Sequence, residues 1–190
     1  EYCHCGSLLS IVRRNQSLAE SVIRDVIACC LLGLGFLHNK KILHRVLHSH
    51  IRNGVGIKPG NLLISEQGTI KVGDFGLAVQ LEHSFSERNI ICGTLVYMAP
   101  EVFEERSCLK SDVWSLGVSI IELAEGRNPY MSIPASEIKR TVVETPSPSL
   151  SSRWSAQFVD FVNRCLIKDA EKRPSIANLM NVLIEYSIQK

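Results

Sequence analysis

The stretch Ile70-Lys71-Val72-Gly73-Asp74-Phe75-Gly76 decides the fold. An apolar run ends in a carboxylate, and a glycine two residues later opens a long segment, Asp74 to Tyr97, with little hydrophobic periodicity. A carboxylate at a strand end followed by glycine suits a magnesium site that touches a nucleotide's phosphates. Alone the tripeptide is weak, because Asp-x-Gly also makes ordinary turns. Three more elements follow it: Ala99-Pro100-Glu101, Asp112-x-Trp114 and Arg173-Pro174. All four in this order and spacing are very hard to obtain by chance.

Outward from that stretch, periodicity sets the elements. Residues 61–64 and 69–72 flank the turn signal Ser65-Glu66-Gln67-Gly68, which predicts a small hairpin. Ser7 to Arg14 reads as a short helix. Leu18 to His38 reads as a longer one, with Val22, Val26, Ile27, Cys30, Leu31 and Leu34 at helical spacing. After Pro100 the pattern is helical again, and Val113, Leu116, Gly117, Ile120, Ile121 and Ala124 form a stripe broad enough for a buried central helix. Pro146 and Pro148, set among serines, mark a linker, and two more helices are predicted at about 156–166 and 175–187. The sum is a mainly helical unit with a minimal sheet and no internal repeats.

Composition narrows the classes. A chain of 190 residues with 45% hydrophobic residues fits one domain with a real core. The net charge of +2 comes from scattered Lys and Arg, which leaves no nucleic-acid footprint. Seven cysteines, an odd number without a C-x-x-C pair, match a reducing compartment where cysteine serves as a small buried hydrophobe. The longest apolar run, Ile27 to Leu37, is shorter than the roughly 20 residues a bilayer span needs. No signal peptide is visible, so the expected location is cytoplasmic, with no membrane partner.

In these four elements the chain resembles the eukaryotic protein kinases, and specifically their serine/threonine branch. Gly93-Thr94-Leu95-Val96-Tyr97-Met98-Ala99-Pro100-Glu101 is similar to the substrate-binding end of an activation loop. Ser111-Asp112-Val113-Trp114-Ser115-Leu116-Gly117, with Ile121-Glu122-Leu123-Ala124-Glu125-Gly126, looks most like the sterile-twenty-like subgroup. The resemblance implies an α+β kinase fold of which residues 1–190 hold the hinge and the C-terminal lobe: a helical lobe with one hairpin, the small lobe absent. It also implies transfer of the ATP γ-phosphate to a protein serine or threonine, with ATP and magnesium as cofactors and a protein as substrate or partner.

The resemblance assigns roles residue by residue. Asn61 and Asp74 match the two magnesium ligands, and Lys58 matches the lysine that contacts the transferred phosphate. Thr94 sits where the family's threonine closes the catalytic loop against the substrate site. Glu1 and Cys3 match the hinge that offers backbone groups to adenine, and Leu63 matches the pocket floor. His44 and Arg45 match the opening of the catalytic loop. Glu101 and Arg173 match a buried ion pair that braces the substrate platform, and Asp112 matches the carboxylate that holds the catalytic loop's backbone. These last three organise the fold and perform no chemistry.

Two departures stand out. The family's loop reads His-Arg-Asp, one residue, Lys, two residues, Asn; here ten residues, Val46 to Val55, intervene between His44-Arg45 and Gly56-Ile57-Lys58-Pro59-Gly60-Asn61. Counting back from Lys58 and Asn61, Gly56 holds the catalytic aspartate's place. Closing a longer loop is inexpensive, about 0.6 kcal/mol per doubling of length. Losing a general base typically costs about 10² to 10⁴ in rate. His48 and His50 on the insertion could in principle act as a base or hold a metal, but solvated loop histidines are the simpler reading. The second departure is that nothing within residues 1–190 corresponds to the Gly-rich loop, the ATP-anchoring lysine or its glutamate partner. The expectation is therefore a kinase by family that is inactive alone. The alternatives are a pseudokinase-type interaction module using the surface around 131–150, and the product of a mispredicted or decaying gene. Ser84, Ser86 and Thr94 lie in the activation-loop region, and the resemblance offers Ser84 or Ser86 as acceptor of a regulatory phosphate that pairs with Arg45.

Overall fold

The computed structural model describes residues 5–44, 56–73 and 95–188, together with the backbone of 79–80. Among these residues six helices carry the fold: α1 (Leu8–Asn15), α2 (Glu20–Asn39), α3 (Leu109–Glu125), α4 (Ala135–Glu144), α5 (Ala156–Cys165) and α6 (Ile176–Ile188). The described residues are 57% helical, as the periodicity predicts. Single-turn 3-10 helices at Pro59–Asn61 and Pro100–Glu104 begin on proline, whose missing N–H is no loss in a first turn.

The predicted hairpin is present. β2 (Leu62–Ile64) pairs antiparallel with β3 (Ile70–Val72), Leu63 opposite Lys71. The turn closes through Ser65, whose amide donates to Thr69 O (2.9 Å) while its hydroxyl accepts from Thr69 N (3.1 Å). A second pair, β1 (Ile42–Leu43) with β4 (Val79–Gln80), adds a sheet whose second strand lies in the segment read as a loop. Two residues per strand are too few for alternation to register in a sequence.

Helix α3 is the centre. All its residues from Ser111 to Ala124 are buried, including the predicted apolar stripe, and α2 and α5 pack against it. It ends on Gly126 (φ +75°), whose N–H caps Glu122 O at 2.9 Å. A Cβ there would lie 1.5 Å from Gln16 O, so the end of α1 can pass only over a glycine.

Helix α2 buries Ile23, Val26, Ile27, Cys30, Leu31, Leu34 and Leu37 against α3, α6 and β3. Val22, assigned to that stripe from its spacing, is instead 47% exposed. Ile23, about 100° further round, takes the core position. At 20 residues and mean hydropathy 1.6, α2 is long and apolar enough to cross a membrane by length and composition, a match that an uninterrupted-run count misses. Its packing shows why the composition arises: one side is core. Burial pushes the Cys30 thiol up to about 12, in keeping with cysteine as a packed hydrophobe.

Helix α4 was not anticipated. Only Ile138 and Val142 point inward, one turn apart, too few for a periodic signal. The stretch 146–150 after it has no regular structure, as its prolines suggest.

Candidate functional site

The site is organised by polar residues on an otherwise apolar helix. Asp112, Ser115, Ser119 and Glu122 follow one another on α3 at spacings of three, four and three, so they share one face. Between them they reach the chain at His44, Ile57, Tyr97 and Asn128. Asp112 Oδ2 accepts from the backbone N–H of His44 (2.9 Å) and meets His38 Nε2 at 3.0 Å. Ser115 Oγ donates to Tyr97 O (2.8 Å), and Ser119 Oγ donates to Ile57 O (3.0 Å). Glu122 accepts from the Tyr97 hydroxyl at 2.5 Å and from Asn128 Nδ2 at 3.3 Å. A buried polar group is costly unless hydrogen-bonded, and here each bond ties a loop to the core.

The loop segment held by Ser119 carries the candidate residues. Lys58 and Asn61 both line a cavity of about 690 Å³, together with Arg13, Tyr97, Glu122 and Asn128. Asn61 is buried, and its Nδ2 donates to Gly56 O (2.9 Å) while its own carbonyl accepts from Gly73 N (2.7 Å). That places Asn61 against the residue preceding Asp74. With the amide nitrogen committed to Gly56, the side-chain oxygen is what Asn61 has to offer a hard cation. Gly56 itself has φ +126°, a backbone conformation that favours glycine. Leu63 is half-buried in β2 and bridges to Ser7. His44 is buried, its Nε2 3.2 Å from Gly73 O.

Glu122 is the functional candidate that motif reading missed. Burial raises its carboxyl above the ordinary range, and the hydrogen bonds from Tyr97 and Asn128 and the charge of Arg13 only partly offset this. The available signal was a lone acid inside the apolar run Leu116 to Ala124.

The third group braces this arrangement. Glu101 and Arg173 form a two-pronged pair, Nη1 to Oε1 at 2.8 Å and Nη2 to Oε2 at 2.9 Å. Arg173 is 1% exposed; it also donates to the carbonyls of Ile167, Lys110 and Lys168, and its guanidinium lies 5.3 Å from the centre of the Trp114 ring. Ser111 Oγ donates to Glu101 Oε1 (2.8 Å), so the carboxylate is satisfied on both sides.

Glu1, Cys3, Arg45, the insertion 46–55, Asp74, Ser84, Ser86 and Thr94 lie outside the described residues. Among the described residues no three His, Cys, Asp or Glu side chains gather as a metal site.

Comparison with known proteins decides the family. The protein kinase domain family matches residues 1–183. The chain belongs to the protein kinase family. It is 37% identical to the serine/threonine-protein kinase hippo of Drosophila melanogaster over 185 residues, which covers 95% of this chain and 26% of that protein. It is 37% identical to the serine/threonine-protein kinase dst1 of Dictyostelium discoideum, covering 95% of the chain and 24% of the relative. It is 40% identical to the serine/threonine-protein kinase cst-1 of Caenorhabditis elegans, covering 94% and 35%. These relatives agree with the sterile-twenty-like resemblance. The kinase chain spans about a quarter to a third of the length of these relatives.

Proposed function

We propose that residues 1–190 form the hinge and C-terminal lobe of a serine/threonine protein kinase, interrupted by an insertion at 46–55, and that the chain as it stands does not transfer phosphate. One observation carries this reading. Gly56 occupies the aspartate's place in register with Lys58 and Asn61, and it presents only backbone there, its carbonyl taken by Asn61 Nδ2. No side chain at that position can accept the proton of an incoming hydroxyl.

In this reading ATP with magnesium would supply the transferable phosphoryl group and the charge that activates it. Lys58 would meet the transferred phosphate as a point charge, and Asn61 and Asp74 would hold the cation. The substrate hydroxyl would arrive over the cavity bounded by Lys58 and Tyr97. Glu1, Cys3 and Leu63 would frame adenine, and Thr94 would close the loop against the substrate. Orientation and electrostatics are most of what phosphoryl transfer requires, so removing the base reduces the rate without undoing the site.

A second reading draws on the braced platform. With Glu101–Arg173 and the α3 anchors all formed, the lobe holds its surface without the catalytic step, which suits a pseudokinase-type module binding another protein through the region around 131–150.

The test compares two chains behind the same compatible kinase small lobe, one with the present sequence and one with 46–55 deleted and Gly56→Asp. With ATP, magnesium and a generic protein substrate, only the second is expected to turn over, by about 10² to 10⁴ over the first. Equal turnover that disappears on Asp74→Ala in both would overturn the proposal and point to His48 or His50 as base.

A further inference from the structure

Thr145-Pro146-Ser147-Pro148 is a doubled Ser/Thr-Pro sequence that the kinase fold does not use. It follows the last residue of α4, and its two hydroxyls stand in different circumstances. Thr145 is exposed, has extended backbone (φ −88°, ψ 159°), and donates its Oγ1 only to Thr141 O of the preceding turn, at 2.7 Å. Pro146 enforces that extended conformation, because a residue before proline is excluded from the helical region. Ser147 is half-buried and its hydroxyl is committed to Leu166 O at 2.7 Å.

We propose that Thr145 is a phosphorylation site for a proline-directed serine/threonine kinase, and that its phosphate loosens α4 from the substrate platform. An enzyme that reads proline immediately after the acceptor needs an extended, exposed hydroxyl with no tertiary commitment; Thr145 meets all three conditions, whereas Ser147 is half-buried and committed to Leu166. In the modifying enzyme, Thr145 Oγ1 attacks the γ-phosphorus of ATP. The Oγ1–P bond forms, the bond from that phosphorus to the β–γ bridging oxygen breaks, ADP leaves, and the hydroxyl proton passes to that enzyme's base. The proposal is independent of whether this chain transfers phosphate itself.

The consequence follows from position. Esterified Oγ1 can no longer donate to Thr141 O. The added charge sits at the negative end of the α4 dipole beside Glu144, where an anion is unfavourable. Lys168 Nζ donates to Val143 O (2.8 Å) and to Thr145 O, covering carbonyls that the helix end leaves unpaired. A phosphate at Thr145 competes for that ammonium and draws it off the carbonyls. Helix α4 inserts Ile138 and Val142 into the core and packs on Pro100–Glu104, the turn that carries Glu101. Fraying its last turn therefore reaches the platform.

The experiment incubates the whole chain, folded, with a purified proline-directed kinase, ATP and magnesium; a reaction without that kinase sets the background. Mass spectrometry is expected to place the phosphate on Thr145. Ser147→Ala should leave incorporation unchanged, and Pro146→Ala should reduce it about tenfold or more, an exposed change with no packing role to confuse the result. In the modified chain, amide exchange over 142–145 should quicken about tenfold, and Tm should fall by roughly 2–4 °C. Phosphate found only on Ser147, or incorporated only after heat unfolding, would overturn the site. Phosphate on Thr145 with unchanged exchange and melting would overturn its effect on α4.

Discussion

Two regions hang from the same helix. Near the N-terminal end of α3, Glu101, Arg173 and Ser111 form a closed set in which every charged atom has a near-ideal partner, with Trp114 beside the guanidinium. Further along, Ser119 and Asn61 hold a turn, Gly56 to Asn61, that is just as well tied down and that, on the proposed reading, offers only backbone where a catalytic carboxylate would stand. The difference teaches that support and chemistry are separable. The first region stabilises the fold, so damage to it is read in melting. On the proposed reading the second is read in rate as well as in melting, because a base contributes to the transition state and not to the packed ground state.

The most direct way to break the comparison is to remove one member of the braced pair. Arg173→Ala or Glu101→Ala leaves the other charge buried without its partner, at about 3–5 kcal/mol. For a domain of this size that is roughly 6–20 °C in Tm, at about 2–4 °C per kcal/mol. Unchanged calorimetric melting of both variants would show that the pair contributes nothing to the fold. The exposed Arg140–Glu144 pair, 3.1 Å apart on α4, is the control, and Arg140→Ala should stay within about 0.5 kcal/mol of the parent.

The next effects fall on the His44 anchor and on the turn. Asp112→Ala removes the acceptor of the buried His44 N–H and should cost about 1–3 kcal/mol, while Asp112→Asn, which keeps an oxygen there, should recover part of it. Gly56→Asp alone forces a side chain onto φ +126° and should cost about 1–3 kcal/mol. Deleting 46–55 in the same chain frees that turn to re-form, so the double change should be less destabilising than the single one. Urea midpoints decide it; equal losses in the two chains would mean that the insertion does not set the Gly56 conformation.

How much of this was legible depended on the kind of signal. The α3 stripe was readable because it buries an apolar pattern with the right period, and the β2–β3 hairpin because two short apolar runs flank the turn Ser65 to Gly68. Val22 was misassigned because Val22 and Ile23 are equally apolar, and only tertiary packing chooses between neighbours 100° apart. Helix α4 and strand β4 escaped because one buries only two side chains and the other is two residues long. At the site, Lys58, Asn61, Glu101, Asp112 and Arg173 came from motif order. Glu122, Ser115 and Ser119 did not, because a scan that counts apolar residues passes over the polar ones between them. Their role appears only when the loops they hold are in place.

Glu122 gives the smallest effect and the finest test of that point. Its carboxyl accepts from Tyr97 and Asn128 inside the core, and burial holds it above its ordinary value of 4.5 despite those bonds. The sign follows from the raised value. Below pH 4.5 both folded and unfolded chains are protonated here and the contribution is fully present; as pH rises through the folded value, the proton must leave a buried site and that contribution is lost. Tyr97 is pushed in the same upward direction from 10 and so does not titrate in this window. Glu122→Gln keeps an oxygen for Tyr97 and removes the titration. The parent should therefore lose Tm relative to the variant as pH rises above 4.5, by roughly 3–6 °C for each pKa unit of displacement, since one unit is about 1.4 kcal/mol and each kcal/mol about 2–4 °C. Parallel melting curves across that range would mean that Glu122 is not held above its ordinary value, and that the polar face of α3 anchors the loops without strain at its far end.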